Sequence, residues 1–437
     1  MSAGAARHKK GLIWFWNNLR THDNQALNRA MEECDELIAV YIAHPKDWQH
    51  DEFGFFKTGP FRAAFLKETV LDLQENLRRL NVPLYLFHEE ASEALRRVHV
   101  RFPFEAVYFQ NEWTKEERDV IRGCRWTFPQ VEFRGFYDQL LYHPERVGSL
   151  FRSLPDVFTQ FRQKLEKRLD PTKPLPEPSP KSQRVALDLP TALPACLERA
   201  ERRTHPHSAF ALKGGEGQAQ RRLQYYLFDS HLVRKYKETR NGLIGLDYSS
   251  KLSPFLANGS LSVRVIVARL RAYEAEFGGN DSTYWLFFEL LWREFFKYVS
   301  MEHGDWLFHR SGIRRKKRKW REDEGLVQSW TDGRTSSPFV NANMLEIKQT
   351  GWMSNRGRQV VASYLAKHLE VDWRIGAAYF ESALVDYDVH SNYGNWQYVA
   401  GVGNDPRDRV FDPELQAQRY DSGGEYRRLW LKEAASF

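Results

Sequence analysis

Short apolar runs alternate with amphipathic stretches along the first third of the chain. Residues 11–16 (GLIWFW), 36–42 (ELIAVYI), 82–87 (VPLYLF) and 105–110 (EAVYFQ) are of strand length and almost continuously apolar. Strands of a parallel sheet covered on both faces have this pattern. Between them, residues 59–80 predict a crossover helix. This alternation defines an α/β domain with a doubly wound parallel sheet, assigned to residues 1–135. No G-x-G-x-x-G follows the first run and no Walker A lysine is present, which excludes the usual ways of holding a dinucleotide or a triphosphate.

The pattern then breaks. Residues 170–180 (DPTKPLPEPSP) place five prolines in eleven positions, which forbids a helix and marks an exposed passage within a long interdomain connector, residues 136–205. Helical periodicity takes over from about residue 216. Residues 220–236, 260–277, 284–300 and 356–369 carry apolar side chains at spacings of three and four. The remainder, 206–437, is therefore an all-α domain, with its chemistry expected between helices.

Composition narrows the function classes. At 42% hydrophobic and 14% aromatic, the chain has ample core for two domains, and its aromatic excess suits planar ligands or stacked bases as well as packing. A formal charge of +7 favours polyanionic partners. Its densest basic run, Arg314 to Lys319, would attract phosphate or form a solvated loop. Cys34, Cys124 and Cys196 are widely separated without CxxC spacing, so neither a disulfide framework nor a thiolate metal site is indicated and a reducing cytoplasmic setting is expected. The basic start lacks an apolar leader core and no run reaches membrane-spanning length, so no membrane partner is expected.

Three clusters carry candidate chemistry. Glu289, Trp292, Arg293 and Phe296 share one helical face, where Glu289 and Arg293 could equally form an i,i+4 ion pair. Ser354 is placed to cap a helix on which Asn355, Arg358 and Gln359 share a face. Residues 386–398 (DYDVHSNYGNWQY) read as a loop bearing Asp386, Asp388 and Asn392; its carboxylates lack the spacing of a calcium loop.

Seven segments taken together resemble the photolyase/cryptochrome family, specifically its cryptochrome-DASH branch. They are LIWFWNNLRTHDN, KGGE (213–216), YKETRNGLIGLDYSSKLSP (236–254), ELLWREFF (289–296), TGWMSNRGRQ (350–359), DWR (372–374) and SNYGNWQYVAGVGNDPR (391–407). The resemblance implies FAD within the helical domain, its phosphates held by Ser249, Ser250, Leu252 and Ser253 with Tyr236 flanking. It further implies that Arg293, Asn355, Arg358, Asp386 and Asp388 contact the cofactor and that Asn392 faces flavin N5. An amide suits a reduced flavin better than a carboxylate there and tilts the reading toward repair.

On the substrate side, the resemblance implies that Glu289 bonds a damaged pyrimidine pair, Trp292 stacks on it, Asn355 reaches base edges and Arg356 a phosphate. Gln359 and Tyr398 stand where ordinary cyclobutane-dimer photolyases carry Met and Trp, which implies a preference for single-stranded or looped DNA, where base flipping is cheap. Trp320, Trp373 and Trp396 match an electron-relay chain, and Glu112 a residue that contacts an antenna, 5,10-methenyltetrahydrofolate. Trp16 and Asn18 replace an Arg and an Asp usual in the family, a local loop change. The expected activity is that of a monomeric, light-driven lyase of cyclobutane pyrimidine dimers. The alternative is a blue-light receptor signalling through flavin redox state, and the end of the chain at GEYRRLWLKEAASF, without a long tail, favours the enzyme. A nonspecific nucleic-acid binder is opposed by the presence of both Glu289 and Asn355.

Overall fold

The computed structural model describes residues 7–434, so the first six residues of the basic start and the last three of the chain lie outside the described residues. β1 (His8–Phe15), β2 (Cys34–Ile42), β3 (Leu84–Phe87), β4 (Ala106–Gln110) and β5 (Glu132–Phe136) form one parallel sheet in the order β3-β2-β1-β4-β5. The apolar runs are continuous because both faces are covered. Leu12 and Trp14 pack with Val40 and Phe109 under the helices Ala91–Arg101 and Lys115–Thr127. Ile13 and Phe15 pack with Ala39 and Tyr108 on the other face, under Gln25–Glu33 and Pro60–Arg79. β5 escaped the sequence pattern because EFRGF mixes charge with rings and every residue in it is only partly buried.

Strand order reverses between β1 and β4, whose carboxyl ends therefore open a crevice, the usual ligand position of such a sheet. Trp16 and Asn17 follow β1 there, and Gln110 to Glu112 end β4.

Residues 170–180 contain no helix or strand, but the stretch expected to be connector contains the helix Phe158–Arg168. That helix buries Phe158, Phe161 and Leu165 in the core of the helical domain. The chain then returns along the outer edge of the sheet, where Leu86 N–H donates to the Pro190 carbonyl at 2.8 Å and covers an otherwise open strand.

The longest helix, Asp281–His303, begins with a capping box between Asn280 and Thr283. The helix expected over 220–236 is broken: Glu216–Gln224 widens into a π turn, Tyr225–Asp229, and the backbone turns left-handed at His231. The helix Asn355–Ser363 likewise passes into a π turn, Tyr364–His368. Residues 386–398 correct the sequence expectation more fully, since Val389–Ala400 is a helix with Asp388 as its N-cap. Its packing explains this. A Cβ on Gly376 would lie 2.1 Å from the Trp396 ring, so the missing side chain lets the helices Trp373–Ala383 and Val389–Ala400 close together.

The helical part locks onto the sheet through buried polar contacts. The Glu216 carboxylate accepts from the backbone N–H groups of Thr21 (2.8 Å) and His22 (2.9 Å). Arg264 reaches both Asp23 (2.8 Å) and Asp138 (3.2 Å), all three buried. Gly259, at φ 72°, approaches so closely that a Cβ would fall 2.0 Å from the Asn17 carbonyl oxygen.

Candidate functional site

Two adjoining cavities share Tyr387 and Asp388 in their walls. The smaller, about 100 Å³, lies among helices and gathers Asn355, Arg358, Gln359, Asp386, Asp388, Asn392 and Trp396. The larger, about 740 Å³, opens at the crevice of the sheet and takes in Glu112 and Arg293. Tyr236, Ser249, Ser250, Leu252, Ser253, Glu289, Trp292, Arg356 and Tyr398 belong to neither wall.

Ser354 caps its helix as expected, accepting from Gly357 N–H at 3.0 Å, and so fixes the first turn bearing Asn355, Arg358 and Gln359. Arg358 grips Asp386 through both carboxylate oxygens at 2.9 and 3.0 Å. Ser253 Oγ donates to the same carboxylate at 2.6 Å, tying residues 249–253 to this wall. Arg222, missed in the sequence, holds the Ser249 and Ser250 carbonyls at 3.1 and 2.9 Å. That grip fixes the backbone of the turn from which the Ser249 and Ser250 side chains project, both only partly buried.

Asp388 Oδ1 caps its helix by accepting from Ser391 N–H at 2.8 Å, while Oδ2 takes Lys297 Nζ at 3.1 Å. Burial opposes ionisation of Asp388, but Lys297, His390 and Arg293 outweigh it and hold the carboxyl far below its usual range. One turn along, Asn392 donates Nδ2 to the Ala377 carbonyl at 2.9 Å. The amide is thereby oriented with its oxygen left as an acceptor at the cavity wall. Gln359 Oε1 is a second acceptor on that wall, buried and unpartnered.

The ion pair considered between Glu289 and Arg293 does not form. Glu289 pairs instead with Arg240, and Arg293 donates to the Gln139 carbonyl at 2.8 Å on the larger cavity's wall. Burial pushes the Glu289 carboxyl up, with Arg240 opposing. Trp292 stacks on Phe158 at 3.9 Å between ring centroids and meets Tyr398 edge-on at 5.7 Å. Arg356 reaches Asn241 at 3.2 Å and lies over the Tyr420 ring.

Trp373 and Trp396 are buried and Trp320 is partly exposed. Arg310 links the outer two, its carbonyl accepting from Trp373 Nε1 at 3.1 Å and its guanidinium lying 3.4 Å from the Trp320 carbonyl. Of the residues missed, Arg240 and Lys297 had a signal: Lys297 repeats the helical spacing of Glu289 and Arg293, and Arg240 follows Tyr236 by one turn.

A parallel sheet with a crevice at its switch point, joined to helices that line up an amide oxygen and a braced Arg–Asp pair, defines an α/β-plus-helical protein with a ligand site among its helices. The family model described as the FAD binding domain of DNA photolyase matches residues 285–437, and that of DNA photolyase matches 11–181. The cryptochrome DASH of Synechocystis is 42% identical over 97% of this chain and 87% of its own length; that of Xenopus laevis is 43% identical over 95% and 81%. The crystal structure of a Synechocystis cryptochrome superposes with a TM-score of 0.92 at 41% identity, covering 97% of this chain and 89% of that one. A class III photolyase from Agrobacterium tumefaciens gives 0.81 at 27% identity, covering 99% and 88%. The chain belongs to the photolyase/cryptochrome family, within its cryptochrome-DASH branch, and its cofactor is FAD. The polar set of the smaller cavity suits the ring of that cofactor, offering the Asn392 and Gln359 oxygens as acceptors and the Arg358–Asp386 pair beside them, while the serines of residues 249–253 lie outside its wall, joined to it through Ser253. Among the described residues no helix is long and apolar enough to cross a membrane.

Proposed function

We propose that the protein repairs cyclobutane pyrimidine dimers in single-stranded or looped DNA under blue light. When bound and reduced, FAD would supply the chemistry of a light-driven one-electron donor that is regenerated once the dimer has split. The chain's residues bind, orient and shield. The Ser249 and Ser250 hydroxyls and the Ser253 backbone N–H would hold the phosphates with Leu252 and Tyr236 alongside, the Ser253 hydroxyl being engaged by Asp386; the Arg358–Asp386 pair would back the ring, and Arg293 and Asp388 lie on the adjoining wall. Asn392, its Nδ2 engaged by the Ala377 carbonyl, would offer its oxygen to the ring as an acceptor, which favours a protonated N5.

The observation that carries this reading is the coexistence of that amide with a substrate acid. Glu289, beside Trp292, accepts from the N–H of a flipped pyrimidine and stabilises the charge that develops there, while Asn355 meets base edges and Arg356 a phosphate. Trp292 can offer only one ring face, since Phe158 covers the other, and Tyr398 and Gln359 give a polar surround that grips a base less tightly than Trp and Met would. Trp396, Trp373 and Trp320 restore the reduced flavin by passing electrons inward from the surface. The larger cavity, with Glu112, takes methenyltetrahydrofolate as a light-gathering antenna. Illumination of the reduced protein with dimer-containing single-stranded oligonucleotides is expected to restore intact thymines. Flavin redox cycling in the light with no thymine restored would instead make the protein a blue-light receptor.

A further inference from the structure

The basic run Arg314 to Lys319 ends at Trp320, the outermost of the three indoles. From Arg310 to Glu324 the chain carries eight cationic residues and three carboxylates, with that indole among them. Trp320 is partly exposed, its inner side packed on the helical core.

The positive charge there is only partly neutralised. Arg310 is matched by Asp372 at 3.2 Å and Glu322 at 3.4 Å, and Arg321 meets Glu370 loosely at 3.9 Å. Lys316, Arg318 and Lys367 converge on a single carboxylate, Asp408. Arg314 donates to the Gly403 carbonyl at 2.9 Å and Arg315 lies over the Trp306 ring at 4.3 Å, so neither charge meets an acid. Lys317 and Lys319 are exposed, and among the described residues neither forms an ion pair. A surface with such a surplus concentrates anions and speeds their encounter. The effect is local, since exposed charges are screened beyond about 8 Å at physiological salt, and Lys319 adjoins the indole in the chain.

Resting on the relay reading above, we infer that the surface around Trp320 is a docking site for a small anionic one-electron reductant, which Lys317 and Lys319 draw in to refill the indole. An enediolate such as ascorbate has this chemistry. Each electron passed inward leaves Trp320 one electron short. Monoanionic ascorbate gives one electron to the indole, releases a proton to water and departs as the ascorbyl radical anion. The tryptophan is restored, and no group of the chain is consumed.

The test follows light-driven reduction of FAD in the FAD-loaded protein, with ascorbate or uncharged hydroquinone as the reductant. Between about 10 and about 300 mM potassium chloride, the ascorbate rate is expected to fall roughly 3- to 10-fold while the hydroquinone rate stays level. The double variant Lys317→Gln, Lys319→Gln is expected to lose roughly 3-fold or more of the ascorbate rate at low salt and none of the hydroquinone rate. Lys167→Gln with Lys173→Gln removes the same charge from exposed positions elsewhere and should leave both rates unchanged. A readout in the dark is collisional quenching: iodide should quench the emission that Trp320→Phe removes more strongly than caesium does. Equal quenching by the two ions, an ascorbate rate indifferent to salt and to the two lysines, or an equal loss in the control pair would overturn the docking site. Weaker binding of single-stranded oligonucleotides with an intact ascorbate rate would assign the run to DNA phosphates instead. Photoreduction of Trp320→Phe at the parental rate would remove the relay reading and this inference with it. Loss of photoreduction in that variant, with no preference for the anion in the parent, would leave the relay standing and overturn this inference alone.

Discussion

Lys297 and Asp388 form a buried ion pair at 3.1 Å in the partition between the two cavities. Asp388 also caps the helix that carries Asn392, so one carboxylate anchors both the charge pair and the amide facing the cofactor. Lys297→Met removes one partner and strands the other. The expected cost is about 3–5 kcal/mol of stability, read in urea unfolding, with FAD content reduced. Adding Asp388→Asn should recover part of the loss, and a single variant as stable as the parent would count against the pairing.

Glu289→Ala removes an acceptor on the substrate side and leaves Arg240 without its carboxylate. Loss of one charged hydrogen bond, about 1.5–3 kcal/mol, corresponds to a fall in dimer repair of roughly 10-fold or more per absorbed photon. FAD content should be unchanged, because neither cavity wall includes this residue. A colourless variant would contradict the placement.

Trp373→Phe interrupts the proposed relay between Trp396 and Trp320. Light-driven reduction of oxidised FAD is expected to be abolished, while protein reduced chemically with dithionite should repair dimers as the parent does. Photoreduction at the parental rate would exclude Trp373 from the route.

Glu346 provides a pH test. Burial pushes its carboxyl up to about 8, partly offset by the Tyr426 hydroxyl, which donates to it at 2.6 Å. A folded value above the unfolded one means that the native state holds this proton more tightly. Its stabilising contribution is full below the ordinary glutamate range and is lost as pH rises through about 8. The melting temperature should thus fall between pH 5 and 8.5 more steeply in the parent than in Glu346→Gln, about these limits being set by the free and folded values. Parallel curves would sink the assignment.

Much of this architecture is legible in the residues themselves. Four strands announce themselves because Leu12 to Phe15 and their neighbours are covered on both faces, and Ser354 signals its cap by type and position. The helix Val389–Ala400 does not, because asparagine, histidine and glycine are poor helix formers in isolation. Contact with Gly376 and the Asp388 cap override that local preference. The helix Phe158–Arg168 hides for another reason: its apolar side chains are few, and their partner surface comes from the helix Asp281–His303, far along the chain. The family segments located the charged residues of the site, yet Arg222 emerged only from the fold, and the helical spacing that marks Arg240 and Lys297 does not say which distant carboxylate each one meets.

Gly259 and Asn17 meet backbone to backbone, with Arg264 and Glu216 fastened on either side. Close backbone contact flanked by buried ion pairs opposes hinge bending there. Under the proposed function, an antenna in the crevice of the sheet would keep a constant separation and angle to a cofactor among the helices, and transfer of excitation between them would be set by architecture rather than by encounter. A single added methyl at position 259 would pry at that alignment without touching either guest.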